Sequence, residues 1–88
     1  LAPHYPDSLF SAGVTGSVIA EFVIEADGRL LPETLEIVAA THPMFAESTR
    51  RALLATRFLP ATLRGQRVAQ AVQLPIRFTL PREQAEAK

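Results

Sequence analysis

Few side chains in this sequence are equipped for chemistry. The histidines, His4 and His42, lie far apart, and neither has a neighbour that suits it to a metal pair. His42-Pro43 reads better as the start of a helix. Glu21 and Glu25 could pass for a catalytic carboxylate pair, but they sit at the spacing of exposed charges on a half-buried strand. Asp27-Gly28 is a turn signal before it is an acidic site. Ser17 and Ser48 have no identifiable base. There is no Cys, so a thiolate nucleophile, a thiolate zinc site and a disulfide framework are all excluded. The four glycines, Gly13, Gly16, Gly28 and Gly65, match neither a phosphate loop nor a dinucleotide fingerprint. The residues point away from an enzyme and from any cofactor or metal.

Charge narrows the partners. Nine Lys+Arg balance nine Asp+Glu over 88 residues. Arg50, Arg51 and Arg57 mix with Glu47 and have little aromatic interleaving, so a nucleic-acid partner is not expected. Hydrophobic residues make up 48%, enough for one small packed core. No apolar run approaches the roughly 20 residues of a spanning helix. The chain opens at Leu1 without a signal-peptide pattern and reads as a piece of something longer.

With no reaction centre to place, attention shifts to the elements. Pro6-Asp7 starts a short helix carrying Leu9 and Phe10, which Gly13 stops. Residues 16–26 form a strand, with Val18, Ala20, Phe22 and Ile24 on one face. After the Asp27-Gly28 turn, a second strand presents Leu35, Ile37 and Ala39, its regular pairing starting beyond Pro32. Thr41-His42-Pro43 starts a second helix, with Thr41 as the capping hydroxyl, running to about Arg57. Arg64-Gly65-Gln66 is a turn. The clearest pattern follows: Val68, Val72, Leu74, Ile76, Phe78 and Leu80 are all even-numbered, a third strand of thirteen residues or about 40 Å. Residues 81–88 should fray.

This order predicts an α+β domain, α-β-β-α-β, spanning residues 1–88 with its core at about 4–80. Its three-stranded antiparallel sheet has order 2-1-3, with two helices on one face. An alternating third strand with one wet face suits antiparallel neighbours. That strand is then an edge guarded only by Arg77 and by Pro75, which deletes one donor. A long, thinly guarded edge docks an extended peptide, or is covered by residues 81–88 or by a second copy of the chain, and pattern alone leaves docking and self-association level.

The residues also resemble a family. Tyr5-Pro6, Gly13-Val14-Thr15-Gly16-Ser17-Val18, Phe22-Val23-Ile24 and Asp27-Gly28-Arg29 are similar to the opening of the TonB C-terminal domain. Leu35-Glu36-Ile37-Val38, Phe45-Ala46-Glu47-Ser48 through Ala52, Arg57-Phe58-Leu59-Pro60-Ala61, Gly65 with Val68, and Pro75-Ile76-Arg77-Phe78 continue the match over residues 4–80. Thr56 stands where the family often carries Trp, and the hairpin after Gly28 looks longer.

The resemblance implies a periplasmic domain of an energy transducer, anchored in the inner membrane by an N-terminal helix and a proline-rich linker. Its partners would be the ExbB–ExbD complex and outer-membrane receptors. The receptor's TonB box would dock as an added strand along Gln70, Ala71, Val72, Gln73, Leu74, Pro75, Ile76, Arg77 and Phe78, so that siderophores or cobalamin are imported. His4, Tyr5 and Pro6 resemble a second receptor contact. A homodimerisation domain, or a TolA-like domain serving envelope integrity, is the alternative.

Overall fold

A computed structural model describes residues 3–80; the expected fraying of residues 81–88 lies outside the described residues. The elements run α1 (Asp7–Ser11), β1 (Gly16–Ile24), a 3-10 turn (Pro32–Thr34), β2 (Glu36–Ala40), α2 (Pro43–Leu54), β3 (Ala61–Leu63), β4 (Gln66–Val68) and β5 (Gln70–Phe78). The main sheet has order β2-β1-β5 with both pairings antiparallel. The predicted order 2-1-3 is therefore the one formed, with β5 as its third strand.

The period-2 apolar face of β1 explains the core. Val18, Ala20 and Phe22 are buried toward the helices, while Ser17 and Glu21 face solvent. One part of the core gathers Ala20, Phe22, Ile24, Leu30, Leu35 and Leu53. The other gathers Leu9, Val18, Phe45 and Phe78, joined by Tyr5. Helix α2 supplies Phe45, Thr49 and Leu53, four residues apart on one stripe. At this spacing Glu47 pairs with Arg51 (3.0 Å) on the wet side.

Several boundaries differ from expectation. The expected turn forms at Arg64-Gly65, both with positive φ (52° and 79°), but Gln66 belongs to a strand, and the turn closes a second hairpin, β3–β4. Val68 belongs to β4, so the alternating run divides and its last strand has nine residues. The cap of α2 is His42, not Thr41: its Nδ1 accepts from the Met44 N–H (3.0 Å). Thr41 Oγ1 instead accepts from the Ser17 N–H (3.0 Å) and extends the β1–β2 pairing. Helix α2 stops at Leu54 rather than Arg57 because the following chain is drawn to the β1–β2 turn. There the Phe58 N–H donates to the Gly28 carbonyl (2.9 Å), and Arg57 forms an isolated bridge with Arg29. Of the expected apolar face, only Leu35, just before β2, and Ile37 within it turn inward. The register slips opposite Ile19/Ala20, so Ala39 pairs with Ile19 on the open face while Ile37 pairs with Ala20.

Candidate partner-docking edge

Which backbone groups β5 leaves open follows from what β1 does with its own. The Ser17 carbonyl accepts from the Thr41 N–H, the Val23 carbonyl accepts from the Leu31 N–H, and the Glu25 N–H donates to the Arg29 carbonyl. The Ser17 and Val23 N–H groups are taken by the hydroxyls of Thr41 and Thr34. The odd-numbered residues of β1 thus turn their main-chain groups toward β2. Alternation then turns those of Gly16, Val18, Ala20, Phe22 and Ile24 toward β5. Their register partners are Phe78, Ile76, Leu74, Val72 and Gln70, so the even-numbered residues of β5 are spent on the ladder. The odd-numbered residues Ala71, Gln73, Pro75 and Arg77 face the outer edge, where among the described residues nothing pairs with them.

This edge offers amide donors from Ala71, Gln73 and Arg77 and carbonyl acceptors from all four odd residues. Pro75 is the gap in the donor row. Because its ring nitrogen points outward, the ladder to Ile19 and β1 loses nothing. The same alternation sets the side chains: Ala71, Gln73, Pro75 and Arg77 are exposed on the open face, and Phe78 is buried at the far end. Gln73 Nε2 donates to Glu21 Oε2 (2.8 Å) across the strands, which fixes its amide beside the edge.

The N-terminal segment meets only the last part of this edge. The Tyr5 hydroxyl donates to the Val14 carbonyl. Its ring packs edge-on against Phe10, Phe45 and Phe78, with centroids 5.3–5.6 Å apart. Tyr5 and Pro3 thereby form one wall of an open groove of about 470 Å³, whose other wall is Leu74, Pro75, Ile76, Arg77, Phe78 and Thr79. Gln70, Ala71, Val72 and Gln73 continue the edge beyond the groove. The expected second contact divides here. Tyr5 joins the edge, but His4 and Pro6 line a different groove of about 670 Å³, between the start of α1 and α2, with Met44 and Arg51. The Ser48 hydroxyl donating to the His4 carbonyl holds the segment there. Pro3 and Thr79 were missed by sequence reasoning; the run of prolines beside Tyr5 was the available signal for Pro3. The larger groove is not the better candidate for strand addition, because an added strand needs a row of unpaired backbone groups and not a concavity.

Among the described residues no three His, Asp or Glu side chains cluster as a metal site. What the arrangement can do is pair main chain with main chain.

Comparison with known proteins agrees with the geometry. The family model described as Gram-negative bacterial TonB protein C-terminal matches residues 2–80. Protein TonB of Xanthomonas campestris pv. campestris is 32% identical over 81 residues, covering 89% of this chain and 34% of the relative. Protein TonB of Vibrio cholerae is 31% identical over 78 residues, covering 89% and 32%. The chain thus spans about a third of the length of these relatives. The solution structure of the Pseudomonas aeruginosa TonB C-terminal domain superposes with a TM-score of 0.76 at 26% identity, covering 100% of this chain and 83% of that one. The TonB2 protein of Vibrio anguillarum gives a TM-score of 0.67 at 25% identity, covering 92% and 76%. On a family match that runs almost from end to end, over a sheet of the same form, this chain belongs to the Gram-negative bacterial TonB C-terminal domain family.

Proposed function

We propose that the chain is the periplasmic receptor-docking domain of a TonB-like energy transducer. The observation that carries this reading is the outer edge of β5, with its donors and acceptors aligned and, among the described residues, unpartnered. A receptor's TonB box would add to it as a fourth strand along Gln70–Phe78, and the groove walled by Pro3 and Tyr5 would receive the part beside Phe78. Segments outside this chain would carry the inner-membrane anchor and the contact with ExbB–ExbD, coupling proton motive force to import of siderophore- or cobalamin-type nutrients.

The physics suits traction. Each added main-chain bond contributes only about 0.5–1.5 kcal/mol net, so the complex releases readily at rest. Force directed along the strand loads the whole row together, so the grip resists pulling more than its affinity suggests. Main-chain pairing tolerates varied box sequences, and Gln73 and Arg77, exposed beside the edge, are placed to bias the choice.

Titration of the chain with a synthetic TonB-box peptide, followed by amide NMR, tests the reading. Shifts concentrated in Gln70–Phe78 and at Tyr5 are expected. No shift there at millimolar peptide would overturn it.

A further inference from the structure

We propose that Pro75 makes the β5 edge selective for a foreign strand over a second copy of itself. This rests on the docking reading above and adds the rule by which the edge chooses its partner.

The outward position of the Pro75 nitrogen follows from the register. Pro75 pairs with Ile19, an odd residue of β1, and the odd residues of β1 direct their main-chain groups to β2. The position between Pro75 and Ile19 is therefore one where neither strand bonds the other. Proline at an even position of β5 would break the ladder. At position 75 it leaves the ladder whole and removes one donor from the outer edge alone.

A foreign strand and a copy of the chain experience that gap differently. A foreign strand with all its own amides loses one hydrogen bond, at the residue facing Pro75. Two copies paired edge to edge about a two-fold axis bring two prolines into one seam. Whether the axis passes by Gln73, Leu74 or Pro75, each copy contributes its own missing donor, and the seam loses two bonds. Charge does not decide this choice: Arg77 is the only charged side chain on β5, and with the axis by Gln73, Leu74 or Pro75 the two copies of Arg77 lie at least four residues apart along the seam. The edge is otherwise poorly defended: it has nine residues, no bulge against β1 and only that one charge. The partner it fits is an extended peptide of another chain with no proline at the residues whose amides face β5.

Pro75→Ala tests this. The substitution is at an exposed site outside the ladder, so the fold should be retained, with thermal unfolding as the check. Each restored bond is worth about fivefold in an association constant. The peptide complex regains one bond and a self-paired dimer regains two. Sedimentation equilibrium should then show self-association about 25-fold stronger than in the parent chain. Affinity for the same TonB-box peptide should rise only about fivefold. Gln73→Pro, which removes a second outward donor, should weaken the peptide complex and depress self-association further still. Self-association of Pro75→Ala that is absent up to millimolar concentration, or unchanged from the parent, overturns the proposal. So does a gain no larger than the gain in peptide affinity. Failure of the docking reading looks different: the peptide then shifts no β5 amide in either chain, while the dimerisation measurement still decides the role of Pro75.

Discussion

The rings of Phe45 and Phe78 stack with centroids 4.3 Å apart and planes inclined by 18°. One lies in the first turn of α2 and the other is the last residue of β5, and both are buried. The contact anchors the end of the edge strand to the helix layer. Tyr5 closes over the pair, edge-on to each ring. The far end of the open edge is thus held by a three-ring cluster, and pulling on a strand added there would load that cluster.

Phe78→Ala removes one of the two stacked rings from the smaller part of the core. Truncating a buried Phe costs about 3–5 kcal/mol, against a total of about 4–13 kcal/mol for a domain of this length. Urea denaturation should show a large drop in midpoint or outright unfolding. A midpoint within experimental error of the parent would mean that the cluster does not hold β5.

Gly16 opens β1 directly under α2. A Cβ there would lie 2.0 Å from Thr41 Oγ1 and 2.7 Å from the Phe45 ring, too close for either to stay in place. Gly16→Ala should cost about 1–3 kcal/mol through overpacking, and the chemical shifts of Thr41 and Phe45 should move most. Gly13→Ala separates this effect from backbone strain. Gly13 has positive φ (73°) but open space around it, so its cost should be conformational and leave the Phe45 ring undisturbed.

Thr49 is fully buried in the middle of α2, and its hydroxyl has no hydrogen-bond partner among the described residues. An unpaired buried hydroxyl costs about 1–3 kcal/mol. Thr49→Val keeps the shape and removes the orphan group, so it should raise stability by about 1 kcal/mol. Thermal melts of the two chains decide it, and a lower melting temperature for the variant would show that the hydroxyl is paired in solution.

The parts of the fold that were legible are those carried by strict period-2 patterns. The alternation in β1 and β5, together with Gly28 at the turn, gave the sheet order and the open edge. What escaped depends on contacts remote in sequence. Nothing near Leu54 says that α2 ends there, because the cause is the Phe58 amide meeting the Gly28 carbonyl thirty residues away in the chain. Thr41 and His42 both carry a capping group. Only the position of Ser17 decides that Thr41 serves the sheet and leaves His42 to cap the helix. The β3–β4 hairpin was hidden because its strands have three residues each, too few to show a period. At the candidate docking edge, the period-2 alternation located the strand, but the outward direction of the Pro75 nitrogen required the β1 hydrogen bonds. The separation of Tyr5 from His4 required the aromatic cluster.

Amide hydrogen exchange checks the alternation on which the docking edge depends. In the free chain the N–H groups of Val72, Leu74 and Ile76 donate across to β1, whereas those of Ala71, Gln73 and Arg77 face the open edge. The even set should therefore exchange slowly and the odd set fast, residue by residue along one strand. Saturation with a docked peptide should slow the odd set selectively and leave the even set nearly unchanged, because only the odd amides gain partners. Uniform protection along β5 in the free chain would mean that something already pairs with the edge. Selective slowing of the even set on docking would place the added strand against the wrong side of β5 and remove the basis for Pro75 as the gap in its donor row.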